Sequence, residues 1–267
     1  LDSEDSSSPY VSKDTLISCI KNKNINAFIA IDYASNLCPL KEYHEICSHY
    51  GVKLIYDAAH SFGSIDINRL KYCDAAMFSF DPIKTFTAID GGLIYFKSAA
   101  LISETKPKRF IGMQQNESKI KQNKRTWDYD CDQEGWRYHL SNIHSAVGLA
   151  QIKRHKEIRD KRINALHYMR DLIIKESLPI NFYPWDEKLI PFMNVAFIKD
   201  EDKTKLRKYL EENNIQTGTH WKPGHLFTKF KSFTYETCEN ATKLYKKAIS
   251  LPLYTDIEKK DINIVVL

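Results

Sequence analysis

Lys84 stands in the stretch Phe78-Ser-Phe-Asp-Pro-Ile-Lys84-Thr-Phe-Thr-Ala-Ile-Asp-Gly-Gly92, on a turn after a hydrophobic run. A second stretch, Lys53-Leu-Ile-Tyr-Asp57-Ala-Ala-His60, reads as a buried strand that ends on an acid. An amine and a carboxylate so placed suit an aldehyde cofactor. The amine forms a Schiff base with it, and the acid keeps its ring nitrogen protonated. That is the outline of pyridoxal-phosphate chemistry. Ser79, five residues before Lys84, offers a hydroxyl to a phosphate group; Pro82 fixes the turn, and Gly91 and Gly92 let the backbone reverse close to a ligand. An unpaired carboxylate at Asp57 would be costly among apolar neighbours, and a facing pyridinium removes that cost. On spacing alone a plainer reading stands beside this one: Asp57 caps the following turn and Ser79 merely ends a strand.

The elements that must position these residues follow an α/β rhythm. Ser12 to Asn22 reads as a short helix with Ser12 as its N-cap. Ala27-Phe-Ile-Ala-Ile-Asp-Tyr33 reads as a buried parallel strand. A helix is expected from Leu40 to Tyr50, with apolar residues at helical spacing and Gly51 in the place of a C-terminal glycine. Further strands are expected at Val52 to Tyr56, Ala75 to Phe80 and Gly92 to Phe96, giving a mainly parallel sheet. Ser141 to Lys175 then reads as one long helix with Ile143, Val147, Ala150, Ile158 and Leu166 among its apolar positions, ended by Pro179. Beyond it a smaller α+β unit is expected: a strand at Asn194 to Ile198, a helix at Asp202 to Asn213, a strand or turn at Thr217 to Trp221, and a helix through Cys238 to Ala248. The boundary is placed near Ile174, which divides the chain into a large domain at 1–174 and a small one at 175–267.

Composition narrows the classes. The 267 residues suffice for a large core, and 43% hydrophobic with 27% charged residues is ordinary for a soluble globular protein. The net charge of +5 is scattered among acids. The most basic stretch holds Lys106, Lys108, Arg109, Lys119, Lys121, Lys124 and Arg125; it reads as a solvated surface before an anion-binding one. No focused basic face argues for nucleic acid, no apolar run would span a bilayer, and no signal peptide opens the chain. The six cysteines form no CxxC pair and no metal-ligand cluster, so they read as reduced thiols in a reducing compartment, with no metal site.

Four motifs in order carry a resemblance: Asp57-Ala-Ala-His60; Phe78 to Lys84 with Asp90-Gly-Gly92; Gly135-Trp-Arg-Tyr-His-Leu-Ser-Asn-Ile-His-Ser-Ala-Val-Gly-Leu-Ala-Gln151; and Leu251-Pro-Leu-Tyr254. Together, from about Ala27 to the C-terminus, the chain resembles the nucleotide-sugar aminotransferases of the DegT/StrS type. The resemblance implies the type I fold of pyridoxal-phosphate-dependent transferases: a mainly parallel large domain and a smaller C-terminal α+β domain. It also implies roles. Lys84 is the Schiff-base lysine and moves the proton; Asp57 holds the pyridine nitrogen protonated; His60 lies near the ring face or 3-oxygen of the cofactor. Ser79 binds the phosphate of pyridoxal 5′-phosphate, and Arg137 reaches that phosphate from a partner subunit, where many relatives have asparagine. His220 and His225, in Thr219-His-Trp-Lys-Pro-Gly-His225, fall near the sugar-nucleotide pocket, with ordinary surface histidines as the equal alternative.

Two departures accompany the resemblance. Asp90 replaces the glutamate usual before the paired glycines, and His139 stands where many relatives carry arginine. Relatives also possess an N-terminal portion with a glycine-threonine turn and a stacking aromatic residue, neither recognisable here. The expected function is therefore amino transfer, from glutamate to a nucleotide-linked keto-deoxysugar, in a cytoplasmic homodimer that shares its active sites. The alternative is a non-catalytic or truncated paralogue that keeps the fold for assembly or regulation. A sugar dehydratase of the same family fits less well, because such relatives replace the lysine with histidine.

Overall fold

The computed structural model describes residues 1–114, 130–233 and 237–266. Of the basic stretch, Lys119, Lys121, Lys124 and Arg125 lie outside the described residues. The first half alternates as the sequence predicts through α1 (Lys13–Asn22), β1 (Ala27–Ile31), α2 (Leu40–Tyr50), β2 (Lys53–Asp57), β3 (Ala75–Ser79) and β4 (Gly92–Phe96), and then adds a helix that the sequence reading did not name, α3 (Ala99–Lys108). The Ser12 hydroxyl caps α1 by accepting from the Thr15 amide at 3.1 Å. Gly51 closes α2 at φ 70°, a left-handed conformation that glycine adopts without penalty.

The strands form one sheet in the order β1-β2-β3-β4, parallel except for β4, which runs antiparallel to β3. Burial differs from the expectation of strands covered on both faces. Phe28 and Ala30 of β1, Leu54 and Tyr56 of β2, and Ala76 and Phe78 of β3 point into one core with Leu16 of α1 and Leu40, Tyr43 and Cys47 of α2. Both helices pack on that single face, and the opposite face carries Ile29 at 54% exposure.

The second half follows as α4 (Asn142–Lys153), α5 (His155–Lys175), β5 (Asn181–Phe182), β6 (Asn194–Phe197), α6 (Asp200–Glu212), α7 (Glu239–Lys247), β7 (Ala248–Leu251) and α8 (Lys259–Val266). The long helix expected from Ser141 to Lys175 is thus two helices. They break at Arg154, whose ψ of 11° leaves the helical range. No proline or glycine marks the break. It is held by tertiary contacts instead: the His155 ring pairs through Nε2 with the Gly63 carbonyl at 2.9 Å and stacks on Phe86 at 5.3 Å. Strands β5, β6 and β7 form an antiparallel sheet. Ala248, read from sequence as the end of a helix, begins β7, and Thr217 to Trp221 is irregular apart from a bridge between Gly218 and Ser250. Met169 and Ile173 of α5, Ala196, Ile249 and Ile262 of α8 fill the core behind this sheet. A third cluster joins Tyr33 and Ala34, just after β1, to Tyr183, Phe192 and Met193.

Candidate active site

Because β1, β2 and β3 run parallel, their C-terminal ends open on one edge of the sheet, where ligands of such sheets bind. Asp57 lies there in register with Ile31 and Met77, and Ser79 ends β3 beside it. The turn after β3 returns Lys84 to the same edge. The Phe80 amide donates to the Gly91 carbonyl and the Ala88 amide to the Phe80 carbonyl, both at 2.9 Å; the Lys84 amide donates to the Asp81 carbonyl at 3.0 Å. Gly92 is required by close approach, since a Cβ there would lie 2.5 Å from the Phe78 carbonyl oxygen.

Lys84 is half-buried, with Nζ 4.9 Å from the centroid of the Phe192 ring. Burial draws its pKa down, and the Asp57 and Asp81 carboxylates pull it back up. His60 is 4% exposed and lies between Phe192 (4.4 Å, 46°) and Trp221 (4.4 Å, 36°). Burial first, then the positive charge of Lys84 and of His220, pushes its pKa down to about 2, so the ring is neutral near pH 7. Neither ring nitrogen of His60 has a hydrogen-bond partner among the described residues. Buried polar atoms without partners are rare and costly, and at a cleft they mark a place for an incoming group.

His220 completes the cluster. Its Nδ1 pairs with the Ser250 hydroxyl at 2.8 Å, its carbonyl accepts from the Tyr33 hydroxyl at 2.5 Å, and burial followed by the Lys84 charge lowers its pKa. The plainer reading of Asp57 is correct for one oxygen, because Oδ1 accepts from the Ala59 amide at 3.0 Å. The Ser79 hydroxyl accepts a long 3.4 Å bond from the Asp81 amide.

The structure therefore brings Asp57, His60, Lys84 and His220 together, with Ser79 at the same strand edge. Arg137 and His225 are placed elsewhere. Arg137 is exposed and its backbone bridges to Phe110; the His225 ring pairs through Nε2 with the Thr242 hydroxyl at 2.8 Å. Among the described residues no hydrogen bond, ion pair or ring contact joins either to the Lys84 group. His139, its Nδ1 without a hydrogen-bond partner among the described residues, packs edge-on against Phe110 at 5.0 Å. Sequence reasoning missed Phe192 and Tyr33, and quoted Trp221 without giving it a role. Trp221 stood within a quoted motif, whereas nothing local marks Phe192. Its carbonyl is held by Arg162 Nη2 at 2.8 Å, and that guanidinium also donates through Nε to Pro191 at 2.8 Å.

Two clefts, of about 410 and about 640 Å3, lie around α5 and the second sheet, and no residue of the Lys84 group lines either. Among the described residues no helix is long and apolar enough to cross a membrane, and no group of three or more His, Cys, Asp or Glu could hold a metal ion.

Comparison with known proteins adds to this geometry. The sequence model of the DegT/DnrJ/EryC1/StrS aminotransferase family matches residues 5–267. Among curated proteins, the UDP-4-amino-4,6-dideoxy-N-acetyl-beta-L-altrosamine transaminase of Campylobacter jejuni subsp. jejuni serotype O:2 is 27% identical over 266 residues, covering 92% of this chain. The transaminase of the same description from serotype O:23/36 is 28% identical over 260 residues. The chain spans 65% of the length of each of these relatives. Among solved structures, Helicobacter pylori PseC, described as an aminotransferase involved in the biosynthesis of pseudoaminic acid, superposes with a TM-score of 0.79 at 23% identity, over 91% of this chain and 66% of that one. A Bacillus subtilis protein, NtdA, solved with the cofactor PMP bound, superposes at 0.78 and 18% identity, over 96% of this chain and 58% of that one. At such identities the superpositions establish a shared fold.

Proposed function

The chain belongs to the DegT/DnrJ/EryC1/StrS aminotransferase family, and from that premise we propose that it is a pyridoxal-5′-phosphate-dependent aminotransferase that moves an amino group from glutamate to a nucleotide-linked keto-deoxysugar. The product would serve surface polysaccharide or glycoconjugate synthesis. One observation carries the reading. A half-buried lysine within electrostatic reach of Asp57 faces a buried histidine whose two ring nitrogens find no partner among the described residues. That set fits an aldehyde cofactor with hydrogen-bonding substituents on its ring.

Lys84 would carry the cofactor and move the proton between donor and acceptor carbons, helped by the burial that favours its neutral, basic form. Asp57 would keep the ring nitrogen protonated, His60 would meet the ring, and Ser79 would bind the phosphate. Pyridoxal phosphate, when bound, supplies an electron sink for the carbon that loses its proton. His220 and His225 are assigned to the sugar-nucleotide side.

We further assign a cytoplasmic homodimer. Arg137 is exposed in the single chain and would reach the phosphate across the subunit interface. Trp136 at 52% exposure, Tyr138 at 73% and Ile143 at 75% surround it in sequence, an apolar surface of the kind that subunits cover. The division at residue 174 belongs to the same reading: the four-stranded sheet lies wholly before it and the three-stranded sheet wholly after it, while α5 packs against the latter.

The purified protein with added pyridoxal phosphate should absorb in the visible and bleach on addition of glutamate. Lys84→Ala should abolish both the visible band and turnover. Transamination retained by Lys84→Ala, or no uptake of the cofactor by the unaltered protein, sinks the reading.

A further inference from the structure

Asp32 follows β1 and is only 2% exposed, so its carboxylate is buried at a desolvation cost. Its Oδ1 accepts from the Cys38 amide at 2.9 Å. Its Oδ2 accepts from the Tyr56 hydroxyl and, at 2.5 Å, from the Ser61 hydroxyl. Tyr56 immediately precedes Asp57, and Ser61 immediately follows His60. One oxygen therefore grips both flanks of the four-residue segment that bears the two groups facing Lys84.

The backbone repeats the arrangement. The Asp32 amide donates to the Asp57 carbonyl at 3.0 Å. Three residues on, the Ser35 hydroxyl donates to the His60 carbonyl at 2.8 Å and accepts from the Phe192 amide at 2.9 Å. Arg69 supplies the countercharge: its guanidinium lies 5.5 Å from the centroid of the Tyr56 ring and donates to the Cys38 carbonyl at 2.9 Å.

We propose that Asp32 is a positioning residue, whose carboxylate fixes the Asp57–His60 segment at both ends and so sets how Asp57 and His60 are presented to Lys84. The proposal rests on the reading of those three residues as the working group. A carboxylate is needed because both of its oxygens accept, Oδ1 from the Cys38 amide and Oδ2 from two hydroxyls, whereas asparagine has a single acceptor oxygen. Asparagine would put either an amide oxygen or an amide NH2 in the place of Oδ2, and with the oxygen turned to Cys38 both hydroxyls lose their acceptor. Ser61 then has only the Ala58 carbonyl, at 3.4 Å, to turn to.

The test uses the full chain and a probe that needs no cofactor: the rate at which diethyl pyrocarbonate modifies His60, followed by peptide mass spectrometry, against His225 as internal control. Asp32→Asn should speed His60 modification about fivefold, the worth of one hydrogen bond, leave His225 unchanged, and weaken pyridoxal-phosphate binding by a similar factor. Tyr56→Phe and Ser61→Ala, each removing one hydroxyl, should give smaller changes of the same kind, and they carry the test if Asp32→Asn does not fold. Wild-type His60 rates in the folded variants, or equal acceleration at both histidines, overturn the proposal. If the unaltered protein takes up no pyridoxal phosphate, the functional reading falls while the His60 rates still decide this one.

Discussion

Helices α4 and α5 adjoin at Arg154 and have opposite relations to the rest of the molecule. α4 is the more apolar in sequence, with Ile143, Val147, Leu149, Ala150 and Ile152, yet it buries no residue; Leu149 is 61% exposed. α5 is dense with charge and buries Ile158, Arg162, Ala165, Leu166, Met169 and Ile173. The difference lies in phase. The buried residues of α5 recur at helical spacing and form one stripe, whereas the apolar residues of α4 fall all round its axis. A stripe is satisfied by one neighbouring surface; an apolar cylinder needs several. Through Arg162, which holds the Phe192 carbonyl, α5 also reaches the wall of the candidate site, because Phe192 lies against both His60 and Lys84.

The largest effect expected from this contrast is in the stripe. Leu166 is fully buried, and Leu166→Ala should lower unfolding free energy by about 2–5 kcal/mol, from lost transfer energy plus the cavity left behind. Urea titration measures it. A cost below about 1 kcal/mol would mean that α5 is not packed as described.

What was legible in the sequence follows the same division between local and distant causes. The turn carrying Lys84 was readable because proline, the glycine pair and the strand before it all act within a dozen residues. The cap at Ser12 and the glycine after α2 were readable for the same reason. The flanks of His60 were not, since Phe192 and Trp221 come from far along the chain and are brought in by Arg162 and Tyr33. Asp32 reads as part of the Ala27–Tyr33 strand, because nothing in its neighbours foretells bonds to Tyr56 and Ser61. The break at Arg154 was hidden because the helical pattern runs through it, and the contacts of His155 there reach Gly63 and Phe86 far back in the chain.

A middle-sized effect sharpens the link from α5 to the site. His60 is neutral in the fold down to a pKa of about 2, against an ordinary value of 6.5. Between those values the unfolded chain binds a proton at this residue and the folded chain does not, so stability is full above about pH 6.5 and falls as the pH drops toward 2. The slope is at most about 1.4 kcal/mol per pH unit. Denaturant titrations of wild type and His60→Phe between pH 7 and about pH 4 should diverge, with the variant the flatter of the two. Coincident slopes would show that Phe192 and Trp221 do not seal the imidazole.

The smallest effect on a single chain belongs to α4, and it is the one that separates the two helices most cleanly. Leu149→Asn alters an exposed side chain with no buried neighbour of its own helix, so the stability of the isolated chain should change by no more than about 0.5 kcal/mol. Association should respond instead. If subunits cover α4, a polar side chain at 149 places an amide without a partner in an apolar contact, and sedimentation velocity should show dissociation at concentrations where the wild type stays dimeric. A variant that loses several kcal/mol as a monomer would place α4 in a core of its own chain. A variant equal to wild type in both measurements would mean that subunits do not meet at α4.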